Sequence, residues 1–78
     1  MSASKIERLV KMVNQISLNM SSNGSADFVA MQVSEHLEKF WSPPMKNLIS
    51  EHIAGDGIGL TPISLKAVTE LAAVQRAK

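Results

Sequence analysis

The stretch Leu37-Glu38-Lys39-Phe40-Trp41-Ser42-Pro43-Pro44-Met45-Lys46 decides how the chain is read. An apolar, helix-compatible run enters it and two prolines follow. Ser42 is a natural N-cap, and Pro43 suits the first helical position, where its missing N–H would be unpaired in any case. Pro44 disfavours the α region for the residue before it, which moves the expected start to residue 44. One helix ends at this corner and another begins.

Upstream, Val29, Ala30, Val33, Leu37, Phe40 and Trp41 recur at helical spacing, with His36 on the same side, and give a helix over 26–41. Asp27 in its first turn complements the helix dipole. The polar run Ser21-Ser22-Asn23-Gly24-Ser25 interrupts the pattern. Before it, Ile6, Leu9, Val10, Val13, Ile16 and Met20 form one face of a helix over 5–20. Ser4 and Glu7 have the spacing of a capping box, and Glu7 with Lys11 makes a well-oriented i,i+4 pair. Downstream, Met45, Leu48, Ile49, His52 and Ile53 give a helix over 44–54, with Gly55 as its C′ terminator. Gly55-Asp56-Gly57-Ile58-Gly59 is a loop. Thr61 then caps a helix over 62–75 that starts on Pro62. Leu60 and Leu65 have the spacing of a hydrophobic staple. Leu65, Val68, Leu71 and Ala72 are expected inside, and residues 75–78 are expected to fray. The expected fold is all-α: a small bundle of about four short helices forming a single domain over 1–78.

Composition narrows the function. Of the 78 residues, 45% are apolar and 19% charged, against a typical charged share of about 25%. A domain this small has proportionally more surface to cover. A low charge content therefore points to an apolar patch kept for a partner, or to a monomer with a greasy surface. The net charge is +1 and the basic residues are scattered, so no stripe exists to neutralise a row of phosphates. No nucleic-acid partner is expected. No membrane partner is expected either, since no run approaches the roughly 20 apolar residues a spanning helix needs. Lys5, Glu7, Arg8 and Lys11 interrupt any secretory leader, which fits a cytoplasmic protein.

Catalytic constellations are missing. There is no cysteine and no tyrosine. Ser34 and His36 are two residues apart, as are Ser50 and His52, so neither pair shares a helix face. Both histidines fall among apolar positions and read as packed or rim residues. Most of the seven acids fall on polar helix faces. Gly55, Gly57 and Gly59 do not have dinucleotide-fingerprint spacing and no Walker lysine follows them. No enzyme activity, metal site or cofactor is expected. The echo of Val33-Ser34-Glu35-His36-Leu37 in Ile49-Ser50-Glu51-His52-Ile53 stops at five positions and does not make a repeat.

The corner is the most informative cluster. Two of the three aromatic residues, Phe40 and Trp41, are adjacent there, about 100° apart on a helix. Either both rings plug the core, or Phe40 lies in the core and Trp41 is partly presented to a partner. Trp and Met are enriched in interface cores.

A resemblance enters through three segments: Leu9-Val10-Lys11-Met12-Val13-Asn14-Gln15-Ile16, then His36 through Lys46, then Leu60-Thr61-Pro62 with its apolar helix. In order and spacing they resemble the delta subunit of NAD-dependent formate dehydrogenases over nearly the whole chain. Pro44, at a usually basic position, and Val13, at a usual alanine, depart from the family pattern. The resemblance implies a non-catalytic accessory subunit that supports assembly or stability of a cytoplasmic molybdenum- or tungsten-dependent complex. Its large subunits carry the pterin metal centre, iron–sulfur clusters and flavin, and this subunit is expected to bind no cofactor. The motif positions Lys39, Trp41, Pro43, Met45 and Lys46 are the expected partner contacts, with Trp41 as the anchor and the lysines as rim charges. Asn14 and Gln15 are expected to cap or bridge helices. The alternative is a free-standing helical module that homodimerises when isolated.

Overall fold

A computed structural model describes residues 4–77 of the chain. They form four helices and no strand: α1 (Lys5–Met20), α2 (Ala26–Phe40), α3 (Pro43–Ala54) and α4 (Pro62–Ala77). The all-α bundle read from periodicity is the fold. Three boundaries shift. Helix α2 ends at Phe40 because Trp41 is extended, at φ −87° and ψ 141°. Helix α3 begins at Pro43, since Ser42 rather than Pro43 absorbs the extended conformation at ψ 156°. Helix α4 continues to Ala77 instead of fraying from residue 75.

Local signals explain the ends. The Ser4 hydroxyl accepts from the Glu7 N–H while the Glu7 carboxylate accepts from the Ser4 N–H, completing the capping box on α1. The Ser25 hydroxyl accepts from the Phe28 N–H at the start of α2. Thr61 caps α4, its hydroxyl accepting from the Ser64 N–H. Ser42 makes no such bond, so α3 starts on proline geometry alone. Gly55 does not serve as a left-handed terminator; its φ is −82°. Gly57 takes that role at φ +63°, its N–H donating to the His52 carbonyl.

One hydrophobic core draws on all four helices. Leu9, Val10 and Val13 come from α1, Val29, Val33 and Leu37 from α2, Ile49 from α3, and Ala67, Val68 and Leu71 from α4. The most extensive helix pair is α2 with α4, while α3 packs mainly on α4 and scarcely touches α2. The starts of α2 and α4 lie together, tied by an ion pair between Asp27 and Lys66. Leu65, expected inside, is 43% exposed, with its side chain beside the loop residue Gly57. Its partner in the expected staple, Leu60, packs on the core. In the α1–α4 seam, the buried hydroxyls of Ser17 and Ser64 share a hydrogen bond of 2.7 Å, and the Thr61 hydroxyl donates to Ser64 at 3.0 Å. Mutual pairing removes the desolvation cost that two lone buried hydroxyls would carry.

Candidate interaction site at the helix corner

The corner between α2 and α3 overturns the expectation that Phe40 lies in the core, and of the two readings of Trp41 it takes the buried one. Trp41 is only 6% exposed and belongs to the core. Phe40 is 71% exposed, the most exposed large hydrophobic among the described residues. The backbone supplies the reason. Trp41 has left the helix, so its ring no longer follows the 100° helical step and turns back into the core. Phe40 is the last helical residue, and α3 leaves the corner to pack on α4 instead of covering α2. The Phe40 ring keeps one ring neighbour, His36, with centroids 4.8 Å apart and planes at 45°.

Lys46 also differs from its expected place on the rim. It is 8% exposed. Its Nζ donates to the Glu38 carbonyl oxygen at 3.1 Å and lies 3.5 Å from the Glu38 carboxylate. An ammonium placed on a last-turn carbonyl of α2 satisfies a group the helix itself leaves unpaired, at the negative end of its dipole. Lys46 is thus a buried brace between two helices that otherwise hardly meet. Lys39 and Pro43 are exposed, as is Pro44, and Met45 is half-buried against the core. The corner therefore presents an exposed phenyl ring, an exposed lysine and two rigid prolines, carried on a buried indole and a buried ammonium.

A second arrangement lies at the other end of α3. Asn14 spends its whole amide on the α3–α4 loop, donating to the Gly59 carbonyl at 2.8 Å and accepting from the Thr61 N–H at 3.1 Å. The expected bridging role of Asn14 is present. Gln15 instead bonds Asn19 within α1. His52 Nε2 is 2.8 Å from the Ile58 carbonyl oxygen, and the Asp56 carboxylate accepts from the Ile58 N–H at 3.1 Å. Ile58 projects from this frame, 68% exposed. Beside it runs an open groove of about 530 Å³ between α1 and the loop, floored by Ile6 and Val10. In sequence, Ile58 is hidden inside what reads as a plain glycine-rich turn. A branched apolar residue alone between Gly57 and Gly59 is the one signal of it there.

His36 and His52 are engaged with Phe40 and with the loop. Among the described residues no group of three or more His, Asp or Glu side chains converges as a metal site. No helix of the described residues is long and apolar enough to cross a membrane. The chain is matched by the family model for the NADH-dependent formate dehydrogenase delta subunit FdsD, over residues 8–68. That span includes the corner, the Asn14 bridge and the loop. No curated protein and no solved structure matches the chain.

Proposed function

The chain belongs to the FdsD family of NADH-dependent formate dehydrogenase delta subunits, and we propose that it acts as a non-catalytic accessory subunit. In this reading it docks on the large subunits of the cytoplasmic molybdenum- or tungsten-dependent enzyme and supports their assembly or stability. The redox groups stay in those large subunits, and this chain contributes a surface.

The observation that carries the reading is Phe40: a phenyl ring 71% exposed at a corner whose backbone is fixed by two prolines and a buried lysine. Fully exposing such a ring to water is unfavourable, and burying it against a partner recovers about 1.5–3 kcal/mol. Prior rigidity lowers the ordering cost of binding. Phe40, Lys39 and Pro43 are the direct contacts, with Met45 at the edge. Trp41 and Lys46 take part from beneath, by holding the corner in shape.

The test is co-purification of tagged chain with the dehydrogenase large subunits from the native source, together with formate oxidation by the recovered complex. Phe40→Ala is expected to weaken retention about thirtyfold, the size of a single aromatic hot spot, with the fold intact. Retention equal to wild type removes Phe40 as the anchor. A tight homodimer indifferent to the dehydrogenase overturns the accessory reading in favour of a free-standing dimerising module.

A further inference from the structure

We propose that the Asn23–Gly24 link in the α1–α2 turn is a spontaneous modification site, where water converts the Asn23 amide, through a cyclic imide, into aspartyl and isoaspartyl forms. The chain has four asparagines, Asn14, Asn19, Asn23 and Asn47. Three of them lie within α1 or α3, where hydrogen-bonded helical backbone holds the following nitrogen away from the side-chain carbon. Asn23 lies outside every helix and is followed by glycine, which has no Cβ to crowd an attacking nitrogen. Both residues are exposed. Among the described residues the Gly24 N–H donates to no acceptor, so its nitrogen is open to water and free to react.

The Gly24 nitrogen bonds to Asn23 Cγ and gives up its proton. The Cγ–Nδ2 bond breaks, and Nδ2 leaves as ammonia with that proton. One water then opens the ring. Cleavage of the new Cγ–N bond yields aspartate. Cleavage of the original peptide bond yields isoaspartate, whose chain runs through the side chain and is one atom longer. Nothing is oxidised or reduced, and the net exchange is water for ammonia.

The surroundings decide what the conversion changes. The turn is anchored on both sides of the link. The Asn23 N–H donates to the Met20 carbonyl at 2.9 Å, and Ser25 accepts from Phe28 and Val29 at the start of α2. Asn23 Nδ2 donates to Gln32 Oε1 at 3.2 Å, tying the turn to α2. An ionised carboxyl has no hydrogen to donate, so conversion removes that tie. The new anion stands two residues before the cap of α2, near the positive end of its dipole, which tolerates it. The net charge falls from +1 to zero. Asp56–Gly57 could close the same ring, but its groups are engaged. The Gly57 N–H donates to the His52 carbonyl at 3.0 Å, and the Asp56 carboxylate accepts from the Ile58 N–H at 3.1 Å.

The experiment holds the purified full-length chain at neutral pH in oxygen-18 water and maps its peptides by mass spectrometry over time. Amide loss is expected at residue 23, carrying oxygen-18, as a mixture of aspartyl and isoaspartyl peptides, with ammonia released in equal amount and helix content unchanged. Isoaspartate at residue 56 is expected to form at least about tenfold more slowly, the factor that ~1.4 kcal/mol of extra barrier gives. Gly24→Ala is expected to slow conversion by about the same factor, since a Cβ there crowds the nitrogen and lies 2.8 Å from the Phe28 ring. Amide loss spread evenly over the four asparagines overturns the proposal. So does a purely aspartyl product, which needs no ring, or a wild-type rate in Gly24→Ala. If that variant loses helix content, the rate at Asn23 against Asn19 in the wild-type chain decides instead, and equal rates overturn the site.

Discussion

Only Trp41 and Ser42 separate α2 from α3, whereas residues 55–61 separate α3 from α4, and different forces hold the two connections. At the corner, proline rings restrict the backbone, the Trp41 ring is sunk in the core, and one buried ammonium clasps the end of α2. In the loop there is almost no burial. Side-chain hydrogen bonds and left-handed glycines set its shape. Each connection nevertheless leaves a single large hydrophobic residue facing outward. A short turn can be fixed by packing because its residues lie near the core. A longer one runs over the surface, where directional polar bonds must replace packing. The corner should therefore fail through loss of core volume, and the loop through loss of hydrogen bonds.

The sharpest break is at Trp41. Trp41→Ala empties a core site and is expected to cost about 3–5 kcal/mol. That is a large part of the roughly 4–12 kcal/mol that a chain of this length has in total. Denaturant unfolding of the isolated chain measures it. Phe40→Ala, one residue earlier, should leave the midpoint nearly unchanged, and a comparable loss there would refute the assignment of the two rings. Next comes the loop. Asn14→Ala removes two hydrogen bonds and is expected to cost about 1–3 kcal/mol, with faster amide exchange at Thr61 but unchanged exchange in α2. Protection at Thr61 equal to wild type would show that the loop is held by packing after all.

Lys46→Met keeps the stem and deletes the ammonium. The Glu38 oxygen facing Lys46 is buried although the side chain as a whole is 29% exposed, so the expected loss is about 1–3 kcal/mol, accompanied by a shift in Trp41 fluorescence as the corner loosens. No spectral change would mean the prolines suffice. The smallest effect concerns Glu7 beside the groove. Hydrogen bonds from the Ser4 backbone and side chain, then the nearby Lys11 ammonium, hold its carboxyl below the ordinary carboxylate range. A lowered folded value means the contribution is fully present above the unfolded value and is lost as pH falls through the lowered one. Acid should accordingly release the cap of α1, seen as a shift of the Ser4 amide resonance with the carboxyl titration. The loop resonances should not follow. Coupled titration of Thr61 would show that cap and loop are not independent.

Much of this molecule is legible in its amino-acid sequence. Helix number, type and most ends follow from spacing and caps, as with Ser4 and Glu7 at the start of α1 and Thr61 before Pro62 at the start of α4. These are local interactions, complete within one turn, so the residues that make them are neighbours in sequence. The bridging role of Asn14 is legible only as an expectation of some bridge, because its partners lie 45 and 47 residues away. The family is legible in the order of three motifs and is the family matched over residues 8–68.

What the tertiary structure alone decided is which side of the corner faces water. A helical wheel puts Phe40 and Trp41 on one apolar face. The choice between them depends on where α3 goes next, and on the single extended residue that ends α2. The same holds for Lys46, which composition and position class as a surface cation until a carbonyl and a carboxylate from another helix surround it. Periodicity reports a residue's own helix. Burial is set by what other helices place over it, and that is a property of the packed bundle.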